Sequence, residues 1–176
     1  MIRGTPLAAL RSQMPDSRHP PLPRETAPPL TGKHILVAVE DCERLERILA
    51  GHHLTIPHSV DQAKAQLEAR EYAMVILGVM FDESRMFELL RQVRTFKRNS
   101  FTPVVCVLAG ASTLSDVAIE GLDHAVKAML ANAFLNLKKF PDDRSGNARL
   151  RRIIDYLILI DGDMHGGFKS VHEDER

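Results

Sequence analysis

Met74-Val75-Ile76-Leu77-Gly78-Val79-Met80-Phe81 carries the strongest fold signal in the chain. Seven of these eight residues are large and apolar, and the eighth is Gly78. The run is too short for a free-standing helix and too continuous for a strand with one wet face. Bounded by polar residues, it fits a strand buried on both faces. Gly78 is the anomaly, because glycine weakens a strand interior and marks a bulge or a close backbone approach.

Related signals recur on either side. Ile35–Val39 reads as a first strand, and Leu45, Ile48 and Leu49 as the stripe of a helix that Gly51 ends. His53–Ile56 is a weaker strand that Pro57 limits to an edge or a strand end. Ser59 and Gln62 form a capping box, opening a helix with Val60, Ala63 and Leu67 inward. After the central strand, Ser84 is the expected cap of a helix with Met86, Leu89, Leu90 and Val93 on its apolar stripe. Its outer face is basic: Arg91, Arg94, Lys97 and Arg98.

Pro103–Leu108 is a second continuous apolar strand. A helical pattern over 118–130, with Leu130 on its apolar side and Gly121 as a kink or break, leads to a fifth strand, Ala133–Leu137. Leu150, Ile153, Ile154, Leu157 and Ile158 mark the last helix. Residues 1–30 carry seven of the ten prolines and read as an extended, disordered arm. Residues 161–176 read as a disordered tail, leaving 31–160 as one domain.

Strand and helix thus alternate five times over short connections. The fold class expected is α/β, a doubly wound five-stranded parallel sheet of flavodoxin-like order 2-1-3-4-5 with helices on both faces.

Composition narrows the function. A formal net charge of zero argues against a dedicated nucleic-acid binder. No apolar run approaches the ~20 residues of a membrane span. Cys42 and Cys106 lack metal-ligand spacing and suggest no disulfide framework, so a cytoplasmic location is expected. Cys42 sits where a helix begins, which lowers a thiol's pKa, although a buried, unreactive thiol is the safer reading. None of the eight histidines forms an H-x-x-x-H pair, and no phosphate-binding glycine loop is present.

The segment Val75 to Arg91 resembles the response-regulator receiver family, whose third strand and helix read like V-I-L-D-L-M-L-P-D-M-D-G-F-E-L-L-R. The match is ungapped and ends on Phe87-Glu88-Leu89-Leu90-Arg91. Ala131–Phe140 likewise resembles the family's G-A-N-D-Y-L-T-K-P-F with one extra residue, and the resemblance extends over about residues 33–160. It implies a crevice at the carboxyl ends of strands 1 and 3. There the family uses two acids for Mg²⁺, a phospho-accepting aspartate, a Ser/Thr after strand 4 and a lysine after strand 5.

This sequence departs from that set. The acceptor position falls on Gly78 and the hydroxyl position on Leu108. Ungapped, the acid pair falls on Val39 and Glu40; slipped by one residue, it falls on Glu40 and Asp41. Lys138 matches the switch lysine, with Lys139 where the family has proline. With a carboxylate missing, no cofactor is expected, Mg²⁺ included; Glu40 and Asp41 are a vestigial pair, Asp41 serving equally well as a helix cap.

The resemblance therefore implies a degenerate, phosphorylation-independent receiver, not an enzyme, acting as a protein-interaction module in two-component-like signalling. Its partner would be a signalling protein or a second copy, met through the face of helix 4, strand 5 and helix 5. The candidate residues are Lys138, Lys139, Arg149, Arg151, Arg152 and Asp155. One alternative places a small molecule or metal in the crevice beside Glu40 and Asp41. Another routes phosphotransfer through Asp82, four residues past Gly78. A flavodoxin-like enzyme ranks last, because no nucleophile–base pair lies in the switch-point loops.

Overall fold

A computed structural model describes residues 31–110 and 113–166. The proline-rich arm, Ala111-Ser112 and the chain beyond Gly166 lie outside the described residues. Five strands form the sheet: β1 His34–Ala38, β2 His53–Thr55, β3 Met74–Gly78, β4 Val104–Leu108 and β5 Ala133–Asn136. The helices are α1 Glu43–Ile48, α2 Val60–Ala69, α3 Met86–Thr95, α4 Asp116–Ala128 and α5 Arg144–Gly166. All neighbouring strands are parallel, in the order β2-β1-β3-β4-β5. The doubly wound sheet expected from the alternation is the one found.

Alternation along each strand divides the core into two layers. Leu36 and Ala38 of β1, Val75 and Leu77 of β3, and Val104, Cys106 and Leu108 of β4 pack under α2, α3 and α4. Ile35 and Val37, Met74 and Ile76, and Val105 and Val107 face the other way, under α1 and α5. The three central strands are buried on both faces, which is why they read as unbroken apolar runs.

Several local expectations need correction. β3 ends at Gly78 rather than Phe81, although the Val79 N–H still donates to Val107 O at 2.9 Å. Ser84 does not cap α3: it has φ 66°, and α3 starts after Arg85 with no side-chain cap. A capping hydroxyl needs extended backbone at its own residue, and the left-handed turn here carries it out of position. Gly121 neither kinks nor breaks α4, which is continuous from its Ser115 cap. Leu130 leaves the apolar stripe, because it takes φ 65° to end α4 and becomes exposed. Ser59 caps α2 as expected, its Oγ accepting from the Gln62 N–H, while Gln62 reaches back one residue further than in a capping box, its Oε1 accepting from the His58 N–H.

α5 continues through 161–166, past the boundary read at 160. Among its described side chains Ile158 is the last that faces inward, and Leu159 and Ile160 are exposed. Hydrophobic periodicity reports a helix only where core lies beneath it, whereas propagation of an established helix needs no core contact.

Candidate functional site

β1 and β3 pair from Ile35↔Met74 to Ala38↔Leu77, so their carboxyl ends open together at the switch point. The cleft there measures about 290 Å³, and its lining includes Val39, Glu40, Asp41, Gly78, Met80 and Gly110. Gly78 is tightly enclosed. A Cβ placed on it would meet Val39 Cα and Val39 Cγ1, each at 3.2 Å. Val39, at the first acid position of the ungapped match, thus crowds the place where a Cβ at 78 would sit.

Leu108 is fully buried in the α2–α4 layer, where its side chain can offer no hydrogen bond. Glu40 and Asp41 are exposed at the rim. Among the described residues, no three His, Cys, Asp or Glu side chains converge in a way that would hold a metal ion. Lys138 lies in a short 3-10 turn, Leu137–Lys139, directly after β5, and its N–H donates to Asn136 Oδ1 at 3.1 Å. It lines a separate cleft of about 580 Å³ shared with Asp41, Arg47, Gly110 and Asp142. Glu40 and Asp41 thus border Gly78, while Lys138 meets Asp41 across another cleft.

Asp82 is committed elsewhere. Phe81–Ser84 makes one tight turn in which Asp82, Glu83 and Ser84 have φ 46°, 57° and 66°. Three successive non-glycine residues in the left-handed region are costly, about 1–2 kcal/mol each, and need compensation. The turn delivers the Asp82 carboxylate to the start of α2, where Oδ2 accepts from Val60 N–H at 2.8 Å and from Arg85 Nη1 at 3.0 Å. Arg85 also grips Glu88, which Lys64 approaches at 2.6 Å; these two hydrogen-bonded cations hold the Glu88 carboxyl pKa at about 2.

The opposite side of the carboxyl end carries a third groove, about 540 Å³, between α4 and the β5–α5 edge. Asp116, Glu120 and Asp123 form one wall, Lys139 and Arg149 the other, and Phe134 and Phe140 line it. Arg149 lies over the Phe140 ring, 5.5 Å from its centroid. Of the residues assigned to this face from sequence, Lys139 and Arg149 line the groove, and Arg152 is half-buried on α5. Arg151 and Asp155 do not join them. Arg151 Nε pairs with Asp155 at 3.0 Å, and its Nη1 donates to Ile48 O and Ala50 O, which ties α5 to α1. These two charges take the other flank of α5, and the apolar stripe alone does not tell which flank a charge will take.

Arg44 and Asn99 escaped the sequence reading, and Arg94 was placed on the outer basic face of α3. Arg94 is no solvated face residue: it donates to Thr102 O at 2.7 Å and to Leu130 O at 2.5 Å. The acidic row Asp116, Glu120, Asp123 was legible as an i, i+4, i+7 face; Arg44 left no signal, since its partners lie 93 to 103 positions away. Cys42 has its thiol pKa raised, by burial and by donation to Glu46, rather than lowered. Burial pushes the Cys106 thiol up to about 12. No helix among the described residues is long and apolar enough to cross a membrane.

No protein-family model matches the sequence, and no curated protein is a recognisable relative of it. Solved structures do match. A response regulator from Hahella chejuensis superposes with a TM-score of 0.56 at 17% identity, covering 82% of this chain and 100% of that one. The receiver domain of the sensor histidine kinase PA1611 from Pseudomonas aeruginosa, with magnesium in its active-site cleft, gives 0.52 at 18% identity over 73% and 99%. NtrX from Brucella abortus gives 0.60 at 20% identity over 82% of this chain and 31% of that one. Topology, strand register and these superpositions together assign the chain the fold of response-regulator receivers.

Proposed function

We propose that the chain is a receiver-fold module that works without phosphorylation, signalling through protein contact rather than catalysis, in a cytoplasmic two-component-like system. The observation that carries this is Gly78. The position offers no nucleophile, a Cβ placed there would meet Val39 at 3.2 Å, and the buried Leu108 offers no hydroxyl. Asp82 does not replace it, because its carboxylate is bonded to the α2 amino end and to Arg85. The crevice, about 290 Å³, is at the small end of ligand pockets, which favours contact over small-molecule binding.

The partner face is the α4–β5–α5 groove, and its occupant is a second copy. An acidic wall and a basic wall on one surface are self-complementary under a two-fold axis: Asp116, Glu120 and Asp123 of one copy meet Lys139 and Arg149 of the other. Such an interface would bury on the order of 1,200–2,000 Å². Sedimentation analysis tests it. Glu120→Arg and Arg149→Glu should each abolish association, and the two variants mixed should restore it. Association unchanged in both, or a monomer at every concentration, contradicts the dimer. Treatment with phosphoramidate should leave no hydroxylamine-labile acyl phosphate on the chain, and its incorporation would contradict phosphorylation independence.

A further inference from the structure

We propose that Arg44 is a positioning residue that holds the groove in its partner-binding shape, doing by fixed hydrogen bonds what a crevice without an acceptor cannot trigger. This rests on the groove reading above. Arg44 is the second residue of α1, its side chain only 17% exposed, and it spends its guanidinium on one segment. Nη1 donates to Leu137 O at 3.2 Å, and Nη2 donates to Phe140 O at 2.9 Å and Pro141 O at 2.8 Å. Nε donates to Asn147 Oδ1 at 3.0 Å. One planar fork therefore gathers the 3-10 turn, the Phe140–Pro141 bend and the first turn of α5.

That segment is the wall between two clefts. It supplies Lys139 and Phe140 to the groove and Lys138 and Pro141 to the cleft beside Asp41. Pro141 is held from the other side as well. A Cβ on Gly146 would collide with Pro141 O, so only glycine lets α5 approach this carbonyl. Arg47 adds a pair with Asp142 at 2.8 Å, and Asn147 Nδ2 donates to Asp142 Oδ1 at 2.9 Å. α1 itself starts directly after Cys42, next to the crevice rim of Val39, Glu40 and Asp41. The connection from crevice rim to groove wall thus runs through Arg44 and bypasses Gly78 and Leu108. Lysine cannot take its place, since a single ammonium lacks the fork that reaches three carbonyls and an amide.

Amide hydrogen exchange on the full chain tests this, at a concentration where it is monomeric, with sedimentation run at higher concentration. Arg44→Lys and Arg44→Met are compared with Arg91→Met, a change at an exposed site on α3. The Lys138, Phe140, Gly146 and Asn147 amides should exchange about tenfold faster in both Arg44 variants, with sheet amides unchanged, and association should weaken about tenfold. Arg91→Met should change neither. Unchanged exchange at those four amides, or equal acceleration across the sheet, overturns the proposal, as does faster local exchange with undiminished association. Faster local exchange in a chain that never associates upholds the strap and overturns the groove reading instead.

Discussion

Asp82 caps a helix that is not its own: its Oδ2 accepts the Val60 N–H at 2.8 Å, from the turn after β3 to the first residue of α2. The bond accounts for a backbone that would otherwise be poorly favoured. Asp82→Ala should destabilise the protein by about 1–2 kcal/mol, the cost of a lost N-terminal cap, read from urea denaturation. Glu83→Gly, at φ 57°, should instead stabilise by up to about 1 kcal/mol through relief of left-handed strain.

Gly78 should resist enlargement. The nearest atom to a new Cβ is the Val39 backbone, which belongs to the chain leaving a central strand and has little room to give. Gly78→Ala should cost about 1–3 kcal/mol, the usual range for overpacking a tight interior, with the midpoint lowered in the same denaturation assay.

Asn99 is the polar knot of the amino-terminal end. Fully buried, it donates to Leu67 O at 2.7 Å and Arg70 O at 3.0 Å and accepts from the Tyr72 N–H at 3.0 Å. Asn99→Ala strands three backbone groups and should cost about 3 kcal/mol. Exchange should quicken first at the end of α2 and the start of β3.

His52 sets a pH dependence. Lys33 N–H points at Nδ1 from 3.2 Å, and Arg151 Nη2 lies 2.9 Å from Nε2, with Asp155 farther off at 3.7 Å. Burial first, then the Arg151 charge, lowers the His52 pKa below 6.5. The folded chain then binds fewer protons here than the unfolded chain. This contribution is complete above about pH 6.5 and is lost as the pH falls below it. Melting temperature should decline from about pH 7 to pH 5, and His52→Gln should flatten that profile. Glu88 adds a second, more acidic loss: its carboxyl pKa is lowered to about 2, so its contribution is present above 4.5 and fades as the pH falls toward 2.

The sheet was legible because β1, β3 and β4 are buried on both faces, and continuous apolar runs leave little other choice. Gly78, Glu40 and Asp41 were legible as neighbours in the crevice, since the ungapped match through Phe87 fixes which residue ends the central strand, whereas Lys138 lines another cleft and Leu108 lies in the core. Local backbone was not. Nothing in Asp82-Glu83-Ser84 announces three left-handed residues, because the cause is an amide in α2, 22 positions away. The flank of α5 was misread for a related reason: Arg151 and Asp155 turn toward Ile48, Ala50 and His52, partners that only the fold brings near.

Whether the crevice performs phosphoryl chemistry is decided by amide NMR with Mg²⁺ and then beryllofluoride, a mimic of aspartyl phosphate, beside a Gly78→Asp variant. Wild-type amides at Val39, Glu40, Asp41, Val79 and Met80 should stay in place under both additions, while the variant responds at those positions if it folds. Beryllofluoride-dependent shifts in wild type, centred on Glu40 or Asp82, would overturn the phosphorylation-independent reading.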